Sequence, residues 1–174
     1  MNRTYKKTLS IIGAAVFLIF LAGLQISFIN PSSINLNLFL ILAVSLVLLK
    51  KNSQALIFAW LGGLLTGPAS FSNFGINSLS LLILAAVLII LCETVFLTLK
   101  TESVLFISVI SVTLYHFFNW LIANILALFK AGAFENFGSY FSGRAILTEL
   151  ILTALFLLII FRFKIKSQNV PKIA

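Results

Sequence analysis

The chain has few of the residues that build catalytic or metal sites. Its 174 residues include one cysteine, one histidine and four acidic residues, and charged residues make up only 9% of the total. The single cysteine, Cys92, excludes an internal disulfide. One histidine and so few acids leave no metal triad, and no nucleophile elbow, phosphate loop or zinc signature occurs. We therefore expect no cofactor and no enzymatic activity.

Hydrophobic residues, in contrast, make up 61% of the chain. Because soluble domains carry about 25% charged residues, this composition predicts an integral membrane protein. The apolar runs follow one another with short connections, which predicts a single integral membrane domain over residues 1–174. Since a helix needs about 20 residues to cross the hydrocarbon, we expect an all-α, polytopic membrane helix bundle with about six transmembrane helices. The predicted spans lie roughly at 9–29, 34–49, 54–66, 77–99, 103–128 and 145–163.

The basic residues predict an orientation for this bundle. With cytoplasmic N- and C-termini, ten of the twelve lie on the cytoplasmic side, and only Lys130 and Arg144 lie on the other side, as the positive-inside rule requires. The net charge of +8 then follows from topology, whereas a nucleic-acid partner would need a clustered basic surface. The first apolar run is long for a signal peptide and lacks a clear cleavage site, so we expect it to be a retained span.

Polar side chains inside the spans are the candidate functional residues, because burying such groups in a membrane is costly. His116, Asn119 and Trp120 share one side of a helix, where they form either a midplane ligand or proton site or an interhelical hydrogen bond. Depths counted along the spans differ by about 10 Å or more among the ionisable candidates. We therefore expect that Glu93, His116 and Glu149 do not form one site. We also expect no second acid or histidine at the depth of His116. The intramembrane candidates are Gln25, Glu93, His116, Asn119 and Glu149.

Small residues form a stripe on the third predicted span. Ala59, Gly63 and Gly67 recur at every fourth position, which allows the backbone of another helix to approach closely. Pro68 then ends the helix, because proline lacks the N–H donor. We expect helix packing or partner contact at Ala59, Gly63, Gly67 and the loop residue Gly75.

The segment around this stripe carries a family pattern. Gly63-Leu64-Leu65-Thr66-Gly67, Ser70, and Phe74-Gly75-Ile76-Asn77-Ser78-Leu79-Ser80-Leu81 keep the spacing of a glycine-rich helix end, a short loop and the next helix start. In this the chain resembles the rod-shape-determining protein MreD family, as it does at Gln25 and at 35–38. It departs from the family at Gly67, where an aspartate is common, at Asn73, which replaces a frequent proline, and in the last span, where Glu149 stands in for an asparagine.

The resemblance implies a non-enzymatic scaffold of the bacterial inner membrane. Such a subunit binds a bitopic MreC-like protein and helps to organise cell-wall synthases of the peptidoglycan-synthesising elongation machinery along MreB filaments, with the lipid bilayer as its surroundings. An alternative is the substrate-binding subunit of a vitamin or small-molecule uptake transporter, which would use Gln25, His116, Asn119 and Trp120 as a pocket. A third is a membrane-embedded hydrolase or transferase using Glu93 or Glu149, for which the chain has few convergent polar groups.

Overall fold

The computed structural model describes residues 13, 16–25, 36–66, 75–95, 101–129, 134, 136–140 and 143–168. Over these ranges the regular structure is helical and contains no strand, so the all-α prediction is confirmed. The helices are α1 (residues 16–24), α2 (Leu38–Leu48), α3 (Asn52–Thr66), α4 (Ile76–Thr94), α5 (Thr101–Leu128), α6 (Phe137–Tyr140) and α7 (Gly143–Gln168).

Two of the described helices, α4 and α5, are long and apolar enough to cross a membrane by length and composition. In each, 39% of the residues of the most apolar window are buried within the chain. Other apolar side chains of the two helices are exposed, among them Ile90 and Phe106. Helices α2 and α3, of 11 and 15 residues, are shorter than a typical span. The first predicted span, 9–29, is helical over 16–24, and its remaining parts lie largely outside the described residues.

Helix α2 is the central element of the bundle. It packs against α3, α4, α5 and α7 and is apolar on every face, as expected of a helix with no exposed side. Its largest fully buried side chains include Phe39 and Leu40, both 0% exposed.

The start of α2 is held by two amide side chains. Gln25 Nε2 donates to the carbonyl oxygen of Leu36 at 2.7 Å, and Gln25 Oε1 accepts from the N–H of Leu38 at 2.8 Å. Asn37 Oδ1 accepts from the N–H groups of Phe39 and Leu40, both at 3.1 Å. First-turn N–H groups have no partner within their own helix, so these side chains supply the acceptors that water supplies elsewhere.

The end of α2 is a tight left-handed turn. The N–H of Lys50 donates to Val47 and the N–H of Lys51 donates to Leu46, at 2.8 and 2.9 Å. This is the Schellman pattern of helix termination, which usually has glycine at the left-handed position. Here Lys50 occupies it, with φ of 57°.

One end of the bundle carries most of the described basic side chains. Asn52 Nδ2 donates to Glu93 Oε1 at 2.7 Å, which places the start of α3 beside the end of α4. Thr101, at the start of α5, lines a cavity with Arg162 of α7, and Lys50 and Lys51 lie between α2 and α3. We call this the basic end, whose described basic side chains are Lys50, Lys51 and Arg162, while Arg144 lies at the opposite end of α7.

Candidate functional site

A hydrogen-bonded pair of ionisable side chains joins α5 to α7. His116 Nε2 lies 2.7 Å from Glu149 Oε2, and the two side chains are 18% and 4% exposed. At 1.5 Å per residue, His116 is about 22 Å from the start of α5 and about 18 Å from its end. The pair therefore lies near the middle of the longest helix, and we call it the His116–Glu149 pair.

The expectation that His116 and Glu149 lie at different depths, with no acid level with His116, is wrong. It counted the depth of each residue from the end of its own predicted span. In the structure, the ring of Phe137 in α6 packs edge-on against Trp120, with centroids 5.2 Å apart, and Trp120 lies about two turns before the end of α5. Helix α6 thus lies beside α5 about two turns before the end of α5, and Glu149, six residues into α7, reaches His116.

Asn119 lies one turn from His116 on the same side of α5. It is 5% exposed, and its Oδ1 atom has no hydrogen-bond partner among the residues that the structure describes. Trp120, also predicted on this side, packs its ring against Phe117 and Phe137. The structure therefore separates the two: Asn119 faces the interior and Trp120 joins an aromatic cluster.

Sequence analysis missed two buried hydroxyl groups, one on α7 and one on α4. Thr153 follows Glu149 by one turn on the same face of α7, and within the described ranges Thr153 Oγ1 has no hydrogen-bond partner. Ser80 Oγ in α4 also has none in those ranges, and both residues are 0% exposed. The spacing of four between Glu149 and Thr153, two polar residues in an apolar helix, is the signal that could have found the second.

The packing of α4 on α5 places Ser80 level with Asn119. Ile76 of α4 packs with Ile122 and Ala123 of α5. Because the two helices run in opposite directions, one turn further along each brings Ser80 and Asn119 to the same height. We call these buried polar residues of the three helices the polar layer: Ser80, His116, Asn119, Glu149 and Thr153.

The polar layer offers one imidazole, one carboxylate, one amide and two hydroxyl groups in an apolar surrounding. A buried polar atom without a partner costs about 1–3 kcal/mol, and the layer has three such atoms, on Ser80, Asn119 and Thr153. It can exchange a proton between His116 and Glu149, or hydrogen-bond a small polar molecule. In the part of the chain that the structure describes, no three His, Cys, Asp or Glu side chains come together as metal ligands.

Glu93 and Gln25 do not belong to the polar layer. Glu93 is exposed at the basic end, where it accepts the hydrogen bond from Asn52, and it lies about 20 Å along α4 from Ser80. Gln25 is buried, but both polar atoms of its amide bind the backbone at the start of α2. Of the polar positions predicted from sequence, the structure brings together His116, Asn119 and Glu149.

The small-residue stripe faces α4 within the chain. Ala59 is 0% exposed. A Cβ on Gly63 would lie 2.2 Å from Ser78 Cα and 2.5 Å from Ser78 N, so the two backbones touch here. Ser78 Oγ also donates to the carbonyl oxygen of Trp60 at 2.8 Å, and Gly67 lies outside the described residues.

The two other glycines of this region have different roles. A Cβ on Gly62, which the stripe did not include, would lie 2.2 Å from Cδ1 of Phe39, so this glycine makes room for a ring of α2. Gly75 precedes α4 with φ of 90°, and a Cβ added to it would meet nothing within 4 Å. Glycine is therefore needed at position 75 for its left-handed backbone conformation and not for close packing.

The residues that carry the MreD resemblance thus form the contact between the end of α3 and the start of α4, on either side of residues 67–74, which lie outside the described ranges. The same stretch of α4 contributes Ser80 to the polar layer. The chain as a whole matches no protein-family model, no curated protein and no solved structure.

Proposed function

We propose that the chain is a multi-pass protein of the bacterial inner membrane with its basic end in the cytoplasm. Large apolar side chains are exposed on several helices, among them Ile90 at 61%, Phe106 at 64% and Ile151 at 55%. Soluble monomers rarely expose apolar surface of this extent. The basic end supports the orientation, because cytoplasmic segments carry the excess of lysine and arginine.

Within the membrane, the proposed function is that of an MreD-like, non-enzymatic scaffold that binds a bitopic MreC-like protein and cell-wall synthases. The observation that carries the proposal is the resemblance over residues 63–81. Two of its residues have demanding positions in the structure, Gly63 against the backbone of Ser78 and Gly75 in the left-handed region. The spacing that resembles the family thus coincides with a structural need in this chain.

Because Ala59 and Gly63 face α4, a membrane partner would meet α3 on its exposed surface. There Ile57 and Trp60 are 54% and 51% exposed. The stripe residues then pack α3 against α4 within the chain, and the exposed surface of α3 makes the intermolecular contact. Trp60→Ala tests this contact, and Phe106→Ala on α5 is its matched control, since Phe106 is also a large exposed aromatic residue.

The experiment is co-purification in mild detergent with the MreC-like protein of the same genome, with an unrelated bitopic protein as control. We expect a specific complex that Trp60→Ala weakens and Phe106→Ala leaves unchanged. A folded, monodisperse chain that captures neither protein would refute the scaffold function. Equal effects of the two substitutions would refute the assignment of the contact to α3.

The second candidate function is a small-molecule carrier, and the polar layer favours it. Three buried polar atoms, on α4, α5 and α7, have no partner among the described residues, and together with the His116–Glu149 pair they are groups that a polar ligand at the midplane could bind. A ligand that binds only the folded state raises its thermal stability. A vitamin-sized compound that raises the melting temperature of the wild type but not of Asn119→Leu, with both chains folded, would select the carrier over the scaffold.

A further inference from the structure

A cavity of about 300 Å³ opens between the first turn of α5 and the last turns of α7, at the basic end. Its walls are Thr101, Leu158, Phe161 and Arg162. This volume is at the lower end of the range for small-ligand sites, about 300–1,000 Å³. The cavity lies far from the polar layer, since Phe161 follows Glu149 by about 18 Å along α7.

The lining of this cavity divides into an apolar and a polar part. Leu158 packs against the hydrophobic core and Phe161 belongs to it, with 7% exposure. Thr101 and Arg162 are exposed at the same opening and contribute a hydroxyl group and a guanidinium group. A ligand that fits this division has an anionic group beside Arg162 and an apolar portion beside Leu158 and Phe161.

The charges around the cavity favour an anion. No described acidic side chain forms an ion pair with Arg162, and Lys50 and Lys51 lie at the same end. Glu93 and Glu102 are also exposed at this end, and Glu93 accepts a hydrogen bond from Asn52. Both acids reduce the positive potential, but neither forms an ion pair with Arg162. Arginine binds phosphate through two parallel hydrogen bonds, and basic pockets between helices on the cytoplasmic side suit acidic lipid headgroups.

We propose that this cavity binds the phosphate headgroup of an anionic phospholipid, phosphatidylglycerol being the probe of choice. Arg162 contacts the phosphate, Thr101 donates its hydroxyl, and Leu158 and Phe161 pack against the glycerol and the first methylenes of the acyl chains. The inference rests on the proposed membrane location but not on the scaffold role. Loss of lipid selectivity and loss of partner binding are therefore separate results.

The test is native mass spectrometry of the delipidated full chain with phosphatidylglycerol, phosphatidylcholine and inorganic phosphate as separate probes. We expect phosphatidylglycerol to bind more tightly than phosphatidylcholine, and Arg162→Gln to weaken it by about 10-fold or more, the effect of losing one charged hydrogen bond. Arg144→Gln is the matched control, because Arg144 is an exposed arginine at the other end of the same helix, and we expect less than about a two-fold change there.

Thr101→Val, which keeps the shape of the side chain and removes its hydroxyl, is the second variant and tests the site if Arg162→Gln does not fold. A reduced affinity for phosphatidylglycerol supports the proposal. Three results overturn it: equal binding of the two lipids, equal effects of Arg162→Gln and Arg144→Gln, or full displacement of the lipid by inorganic phosphate. The last result would assign the cavity to a soluble phosphate compound.

Discussion

Gly63 is the position where one added carbon atom should be most costly. A Cβ there would lie 2.2 Å from Ser78 Cα, 2.5 Å from Ser78 N and 2.9 Å from the carbonyl carbon of Asn77. These are backbone atoms, so no side-chain rotation relieves the overlap. Since carbon atoms pack at about 3.5–4.0 Å, Gly63→Ala forces α3 and α4 apart by about 1.3 Å or more at this point.

The expected loss follows from two opposing effects. Overpacking of this kind costs about 1–3 kcal/mol, and replacing glycine by alanine within a helix returns about 0.5–1 kcal/mol. We therefore expect Gly63→Ala to lower the free energy of unfolding by about 1–2 kcal/mol. For a chain of this length each kcal/mol corresponds to about 2–4 °C in melting temperature.

Two other glycines provide the matched series. Gly23→Ala meets nothing within 4 Å and should gain about 0.5–1 kcal/mol. Gly62→Ala meets the ring of Phe39 rather than backbone, so its cost should be smaller than that of Gly63→Ala. The assay is unfolding in mixed micelles with increasing SDS, followed by circular dichroism, and a Gly63→Ala chain as stable as Gly23→Ala would refute the close approach of the two backbones.

Three further predictions use the same assay. Lys50→Gly should stabilise the chain by about 1 kcal/mol, since it removes the strain of a non-glycine residue in the left-handed conformation. Lys51→Gly removes the same charge without relieving such strain and should not stabilise the chain. Equal effects of the two substitutions would mean that the lost charge is the cause. His116→Leu should lower the free energy of unfolding by about 3–5 kcal/mol, because Glu149 stays buried without its partner. Changing both residues to leucine should recover most of this loss. Additive losses from the two single substitutions would contradict the coupling of His116 to Glu149. Gln25→Leu should cost about 2 kcal/mol, because it leaves backbone groups at the start of α2 unpaired; an unchanged midpoint would exclude the capping role.

Hydropathy alone was sufficient to predict the two helices that can span a membrane. The predicted spans 77–99 and 103–128 correspond to α4 (Ile76–Thr94) and α5 (Thr101–Leu128), because the mean hydropathy of both is high over at least 18 residues. The span predicted at 34–49 is a shorter helix, Leu38–Leu48. Its start is set by the side chain of Asn37, which takes the first N–H groups, and hydropathy carries no information on such a cap.

Only part of the candidate site could be predicted from the sequence. Helical spacing correctly grouped His116 with Asn119, because both lie on one helix. The partner Glu149 comes from another helix, and its depth depends on how α7 is placed against α5, which the spacing of residues along one helix does not reveal. Similarly, the spacing of small residues indicated a close approach at Gly63, but the role of Gly62 depended on Phe39, a contact between helices that sequence spacing does not reveal.

The central position of α2 constrains the order in which this protein can be assembled. Helix α2 packs against α3, α4, α5 and α7, and every one of these is synthesised after it. With 11 residues, α2 reaches about 16 Å, roughly half the thickness of the hydrocarbon. The nascent chain therefore holds a short, capped helix whose packing partners have not yet been synthesised. Synthesis halted before α7 would leave one side of α2 without its packing partner and would expose apolar side chains of the incomplete chain.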